Sequence, residues 1–459
     1  MTASADDASG ALGLDPVLGV EHKSVPPALW GRRASEVAAE GHPVSAFATP
    51  LLVFDRAASD ANVRELIAWA AERGLELAPH GKTTMAPVLW RRLVNAGCWG
   101  ITVATPWQAQ VARAAGVDRI LLANEVVDPG GAAWMAAELD AHPEVELACW
   151  VDSPASVVAL AATAGERPID VLVELGGAGG RTGARGVEAA LAVADAVAGE
   201  PRLRLRGVSG YEGSYGSDRR PETAARVRTY LAELAELATR LLDAHEPRDA
   251  IVTAGGSTWF DLVAEQLAPL VGRARVVLRS GAFQVHDDVF YRETSPFGGF
   301  DTPPAAATQP AGVGSAGAAR PAGVGSSSAA QPAAVGPAGA SALRAFAPAL
   351  TVFARVVSRP EPGLALLDAG KRDVPSDLDL PVVLQRLDGR ALPDARVVAL
   401  NDQHARVELP ADAALAVGEV VLLGISHPCT AFDRWRLIPE VDNARDPDPR
   451  VVGFLATVF

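Results

Sequence analysis

Cysteine is scarce in this chain of 459 residues: Cys98, Cys149 and Cys429 are odd in number and far apart. Such spacing excludes a disulfide framework and suits a reducing compartment, so the expected location is the cytoplasm. Basic charge is also short. The 41 Lys+Arg against 55 Asp+Glu leave a net charge of −14, which excludes a generally basic nucleic-acid binder or a protein drawn to anionic membranes. No apolar run approaches the roughly 18 residues a membrane span needs. The opening stretch, MTASADDASGALGLDP, carries acids where an export signal needs bases. Aromatic residues are only 5%, yet the hydrophobic fraction is 49%, enough for a large core without covalent staples.

What is abundant is glycine and proline, 43 and 34 residues respectively. Part of that excess has an address. Residues 301–343 run through an imperfect repeat, QPAGVGSAGAA, RPAGVGSSSAA and QPAAVGPAGA, whose charges are confined to Asp301 and Arg320. This composition buries too little apolar surface to offset its ordering entropy and reads as a disordered linker or loop. Before it, over about 48–300, short apolar runs alternate with helical patterns. LLVF, LELAP, GITVA, RILLA, LACWV, DVLVEL, LRLRGVS, AIVTA and RVVLRS make nine strand-like segments, close to a (β/α)8 TIM-like barrel with one extra. The arginines of RLRLR (202–206) fit poorly with a strand buried on both faces. After the linker, over 344–459, the pattern becomes two-residue or continuously β-rich, predicting an all-β C-terminal domain. Residues 1–47 form an N-terminal extension.

The most informative segment is APHGKTTMAP (78–87), in which a strand ends and delivers His80, Gly81 and Lys82 to the first barrel loop. The C-terminal ends of barrel strands are where chemistry sits. A phosphate-loop reading of GKT fails because Glu76 stands where a glycine is needed. LGGAGGRTGAR (175–185) fails the dinucleotide spacing because Thr182 stands in place of the third glycine.

PHGKTTMAP followed by WGITVATPWQAQVARAAGVDRILLANEVV (99–127) resembles the pyridoxal-phosphate enzymes of the alanine-racemase-type barrel, in their D-serine dehydratase and D-threonine aldolase branch. Thr84 and Met85 follow the Lys-Thr pair, as in a subgroup of amino-acid deaminases. The resemblance implies a barrel followed by a β domain, a homodimer, and Lys82 as the lysine to which pyridoxal 5'-phosphate attaches. Lys82 would then also remove the substrate's α-proton. It carries over Arg181, in GGRTG, to the cofactor pocket. Chemistry places the remaining contacts. AGGSTW (254–259) follows a strand, so Gly255, Gly256 and Ser257 are candidates for holding phosphate through backbone N–H groups. Ser280 and Gly281 are the second phosphate contact, and Tyr211 is assigned to the cofactor ring. A strand-to-helix turn and a core tyrosine are the ordinary alternatives.

In ISHPCTAFDRW, His427 and Cys429 two residues apart would share one face of an extended strand, and imidazole with thiolate suits Zn²⁺ or another divalent cation. His-x-Cys alone is more often a packed histidine beside a small buried thiol, and two ligands leave a zinc site incomplete. In the family the dehydratases carry a His…Cys metal pair here and the aldolases His…Asp. Asp368, Lys371 and His404 lie in further segments that resemble the family's. The expected activity is therefore a zinc-dependent dehydratase or deaminase converting D-serine, or a related small β-hydroxy D-amino acid, to a 2-oxo acid and ammonia. The rival is a metal-activated D-threonine aldolase.

Overall fold

The computed structural model describes residues 12–298 and 344–459, so the linker at 301–343 and the first eleven residues lie outside the described part. The extra strand of the nine is settled by pairing. β1 (Leu51–Asp55) is antiparallel to β11 (Leu350–Glu361) and parallel to β17 (Leu437–Val441), so LLVF belongs to the second sheet rather than to the barrel alternation. β1 is buried along its whole length, as the barrel strands β3 (Ile101–Val103) and β9 (Ile251–Ala254) also are.

The other segments form the barrel wall. These are β2 (Glu76–Leu77), β3 (Ile101–Val103), β4 (Arg119–Glu125), β5 (Glu146–Val151), β6 (Ile169–Gly176), the short β7 (Ala184–Arg185), β8 (Leu203–Gly210), β9 (Ile251–Ala254) and β10 (Arg275–Leu278). Their order is β2-β10-β9-β8-β6-β5-β4-β3, all parallel, with β7 on the flank of β6. The wall closes where His80 bridges Thr102 and the Thr102 amide donates to the Pro79 carbonyl at 3.0 Å. Alternation along each strand does the sorting. Val171, Val173 and Leu175 face the helices, whereas Ala78, Leu121, Ala148, Trp150, Leu172, Ile251 and Val277 meet inside.

The arginines of RLRLR acquire a role at the N-terminal end of this barrel. Arg204 donates to Asp170 through Nε and Nη2 at 2.5 and 2.8 Å, and Arg206 Nη1 donates to the same carboxylate at 2.5 Å. Arg206 Nη2 also reaches the Asp249 carbonyl at 3.0 Å, so the buried cation is fully paired.

The second sheet holds β1 and β11–β18: β12 (Leu364–Leu367), β13 (Val382–Arg386), β14 (Arg396–Leu400), β15 (Ala405–Glu408), β16 (Val420–Gly424), β17 and β18 (Val451–Ala456). Leu18, Leu29, Val37 and Val44 of the N-terminal segment join its core. Ala86, Leu89 and Val285 from the barrel side pack into that same core, which seats the β domain against the barrel mouth.

Candidate active site

Lys82 sits in a single 3-10 turn, Gly81–Thr83, immediately after the closing strand. The turn requires glycine beside the lysine: a Cβ on Gly81 would lie 2.8 Å from the Trp90 indole. That indole donates back to the Gly81 carbonyl and to Thr84 Oγ1, both at 3.2 Å, which locks the turn from below. The lysine side chain remains reachable by solvent through the mouth. Its amine is nonetheless largely desolvated, and burial lowers its pKa; the Arg181 and Arg279 cations add to this while Cys429 opposes it. His80 beside it is held neutral by burial and by the Lys82, Arg279 and Arg181 charges, and its Nδ1 has no partner.

Arg181 lies with its Cζ 4.4 Å from the centre of the Tyr211 ring, so these two sequence-nominated residues stack at the mouth. Ser257 accepts from the Ala282 amide at 3.1 Å and also bonds Tyr291. Ser280 Oγ donates to the Gly256 carbonyl at 3.2 Å, and Gly281 packs so tightly on His80 that a Cβ would approach its carbonyl to 2.6 Å. The loops after β2, β9 and β10 are thereby one structural unit. The expected phosphate role of Gly255 and Gly256 needs correcting. Their N–H groups donate to the buried Glu212 carboxylate, at 3.0 and 2.5 Å, so an internal acid occupies those amides. Ser257, Ser280, Gly281 and the three cations Lys82, Arg181 and Arg279 remain for an anionic ligand.

Sequence reasoning missed Arg279. It is 6% exposed and donates to Thr253 Oγ1 at 2.8 Å and to the Gly210 carbonyl at 2.7 Å, beneath the mouth. Its only signal was a charged residue directly after an apolar strand. Cationic groups above, a flat aromatic at the rim and unpartnered interior atoms (His80 Nδ1, Ser209 Oγ, Glu174 Oε2) suit a phosphorylated heteroaromatic ring such as pyridoxal phosphate.

The structure brings His427 and Cys429 to this mouth, but not on a strand. They lie in the loop after β16. His427 has φ 55° and caps the 3-10 turn Pro428–Thr430, so a tight turn and not extended alternation turns both side chains to one side. Cys429 Sγ is 3.4 Å from Thr83 Oγ1, which places the thiol one residue away from Lys82. His427 Nδ1 bonds Asp377 Oδ2 at 2.5 Å, and Asp377 Oδ1 accepts from Thr430 Oγ1 at 2.8 Å. A carboxylate that orients one imidazole nitrogen and frees the other is the usual outer partner of a metal-binding histidine. Burial disfavours the imidazolium, but Asp377 and Cys429 outweigh it and push the His427 pKa up to about 10. Such an acid-rich setting equally suits a divalent cation. Among the described residues no group of three His, Cys, Asp or Glu is arranged to hold a metal ion by itself.

The remaining candidates stand apart. Asp368 accepts from Thr49 Oγ1 at 2.6 Å and from the Arg355 amide at 2.8 Å, a structural tie within the β domain. Lys371 and His404 are exposed. Cys98 and Cys149 are buried free thiols, and no described helix is long and apolar enough to cross a membrane.

A barrel with a lysine at its first strand end, covered by a β domain that supplies a His-x-Cys loop, defines a class as well as a fold. Residues 54–266 match the alanine racemase N-terminal domain, and residues 349–441 match the serine dehydratase domain. The chain is 26% identical to the D-threonine aldolase of Arthrobacter sp over 396 residues, covering 86% of this chain and 89% of that one. The crystal structure of D-threonine aldolase from Filomicrobium marinum superimposes with TM-score 0.70 at 23% identity, covering 91% of this chain and 97% of that one. D-threo-3-hydroxyaspartate dehydratase from Delftia sp. HT23 gives TM-score 0.63 at 21% identity, covering 90% and 97%. The chain thus carries the alanine racemase N-terminal domain followed by the serine dehydratase domain, and the relatives it resembles along most of its length are D-amino-acid lyases.

Proposed function

We propose that this chain is a dehydratase that uses pyridoxal phosphate and a divalent cation, preferably zinc, to convert D-serine or a related β-hydroxy D-amino acid to a 2-oxo acid and ammonia. The observation that carries the reading is the 3.4 Å approach of Cys429 to Thr83, beside Lys82. A proton-accepting amine and a pair of metal donors thus share one pocket. Bound pyridoxal phosphate supplies the electron sink that acidifies Cα–H. Lys82 is the residue for the cofactor's attachment and, once free, for taking the α-proton at Nζ; its lowered pKa keeps more of the amine neutral than in an ordinary lysine. Arg181 would pair with the substrate carboxylate or with the cofactor ring. His427 and Cys429 would hold the cation, whose Lewis acidity at a β-hydroxyl makes that group easier to release. Asp377 holds the His427 ring in register. Ser257 and Ser280 would bind phosphate. Solved variants of D-threo-3-hydroxyaspartate dehydratase with a histidine or a cysteine replaced by alanine, the latter metal-free, support the same pair as metal donors here.

The second reading is a retro-aldol cleavage to glycine and an aldehyde, favoured by the likeness to D-threonine aldolase. Product analysis separates the two. Pyruvate and ammonia from D-serine support dehydration. Glycine with acetaldehyde from D-threonine, and no 2-oxo acid from any D-β-hydroxy amino acid, would overturn it.

A further inference from the structure

The segment that follows the last barrel strand carries a buried acid that the reading above does not use. After β10 the chain passes Ser280 and Gly281, enters the core of the β domain at Val285 and reaches Asp287, which is fully buried. Its neighbour Asp288 fastens the segment to the β domain. The Asp288 amide donates to the Ile425 carbonyl at 3.1 Å, and its carboxylate receives Arg445 Nη2 at 3.0 and 3.1 Å. The Asp287 carboxylate has partners of another kind. Oδ1 accepts from the Val289 amide at 2.8 Å and from the Tyr291 amide at 3.0 Å, and Oδ2 from the Tyr291 amide at 3.1 Å. The His427 amide donates to the same carboxylate. One side chain therefore ties the start of a short helix, Phe290–Thr294, to a residue nominated as a cation donor. That helix also walls the imidazole, with the Phe290 and Tyr291 ring centres 5.9 and 6.4 Å from that of His427. Tyr291 in turn bonds Ser257 of the barrel.

His427 needs such a tie. Its φ of 55° and ψ of 86° are uncommon for a residue with a Cβ, and Pro428 after it favours extended backbone instead. A conformation of this kind persists where the surroundings over-determine it. Asp377 holds the ring, but a bond to the ring leaves the backbone free to turn. The bond from the His427 amide to Asp287 removes that freedom. A carboxylate suits the task, because it only accepts and has two oxygens to serve amides from two separate segments. Resting on the metal reading above, we propose that Asp287 is a positioning residue for the cation site, holding the His427 turn so that His427 and Cys429 face one side before a cation arrives.

The test uses the full, cofactor-loaded chain, stripped of metal by chelation and titrated with Co²⁺, whose bond to a thiolate gives its own absorption band. Asp287→Asn should weaken Co²⁺ affinity by about 10- to 100-fold, the range for partners that orient a metal donor. The absorbance of the cofactor at Lys82 should stay as in wild type. Asp288→Asn, which loses the carboxylate paired with Arg445, is the control for structural damage: it should lower thermal stability and leave Co²⁺ affinity close to wild type. An affinity undiminished in Asp287→Asn, or an equal loss in Asp288→Asn, would overturn the proposal. If Asp287→Asn does not fold, hydrogen exchange in the metal-free wild type decides. The His427 amide should exchange slowly there, and free exchange would overturn the proposal too. Absence of the cobalt–thiolate band in wild type would instead overturn the metal reading itself.

Discussion

The two ends of one barrel treat charge in opposite ways. At the N-terminal end, Asp170 receives three hydrogen bonds from Arg204 and Arg206, and Glu76 is paired with Arg275. At the C-terminal end, Glu125, Glu174, His80 and Ser209 keep buried atoms without partners. The same alternation exposes both sets to the same interior. Charged groups at the bottom are satisfied within the fold, while these polar atoms at the top are not, the division expected of a barrel enzyme.

That contrast can be broken at either end. Lys82→Ala should have the largest effect, lowering turnover by about a thousandfold or more and removing the lysine-bound chromophore, read by steady-state kinetics and absorbance. Cys429→Ala should cost about a hundredfold or more in activity and release the cation, read by metal analysis of dialysed protein; unchanged metal content would refute the His427/Cys429 site. At the bottom, Asp170→Ala leaves Arg206 buried without its carboxylate and should destabilise folding by about 3–5 kcal/mol. Urea denaturation measures that loss, and activity per folded molecule should stay near wild type. Asp377→Ala frees the His427 ring and should weaken cation affinity by about 10- to 100-fold. The smallest effect concerns pH. Glu125 has a folded-state pKa raised from 4.5 to about 8, so its contribution to stability is present at low pH and is lost as pH rises through that interval. Thermal unfolding of the cofactor-free chain should therefore show a shallower decline with pH in Glu125→Gln than in wild type.

The strand alternation was legible because burial on both faces leaves short, mostly apolar runs such as DVLVEL and AIVTA, and these became β6 and β9. LLVF reads identically, and periodicity carries no information about which sheet a buried strand joins. Arg181 and Tyr211 were visible at strand ends and do meet. Gly255 and Gly256 were misjudged because glycine reports an approachable backbone, not what approaches it; Glu212, over forty residues away, fills the amides. Asp377 was invisible for a similar reason, its partner His427 being 50 residues distant.

By itself, then, the sequence determined the barrel followed by a β domain, the glycine-flanked lysine after the first barrel strand, and a His-x-Cys pair of metal-competent type. Each follows from local periodicity or from a side chain's own chemistry. Only the tertiary structure decided that Cys429 reaches Thr83, that Asp377 orients His427, and that the acids at the barrel top meet each other and no cation while those at the bottom pair with arginines. Those are relations between residues far apart in the chain, and closure of the barrel and docking of the β domain are what bring them within hydrogen-bonding distance.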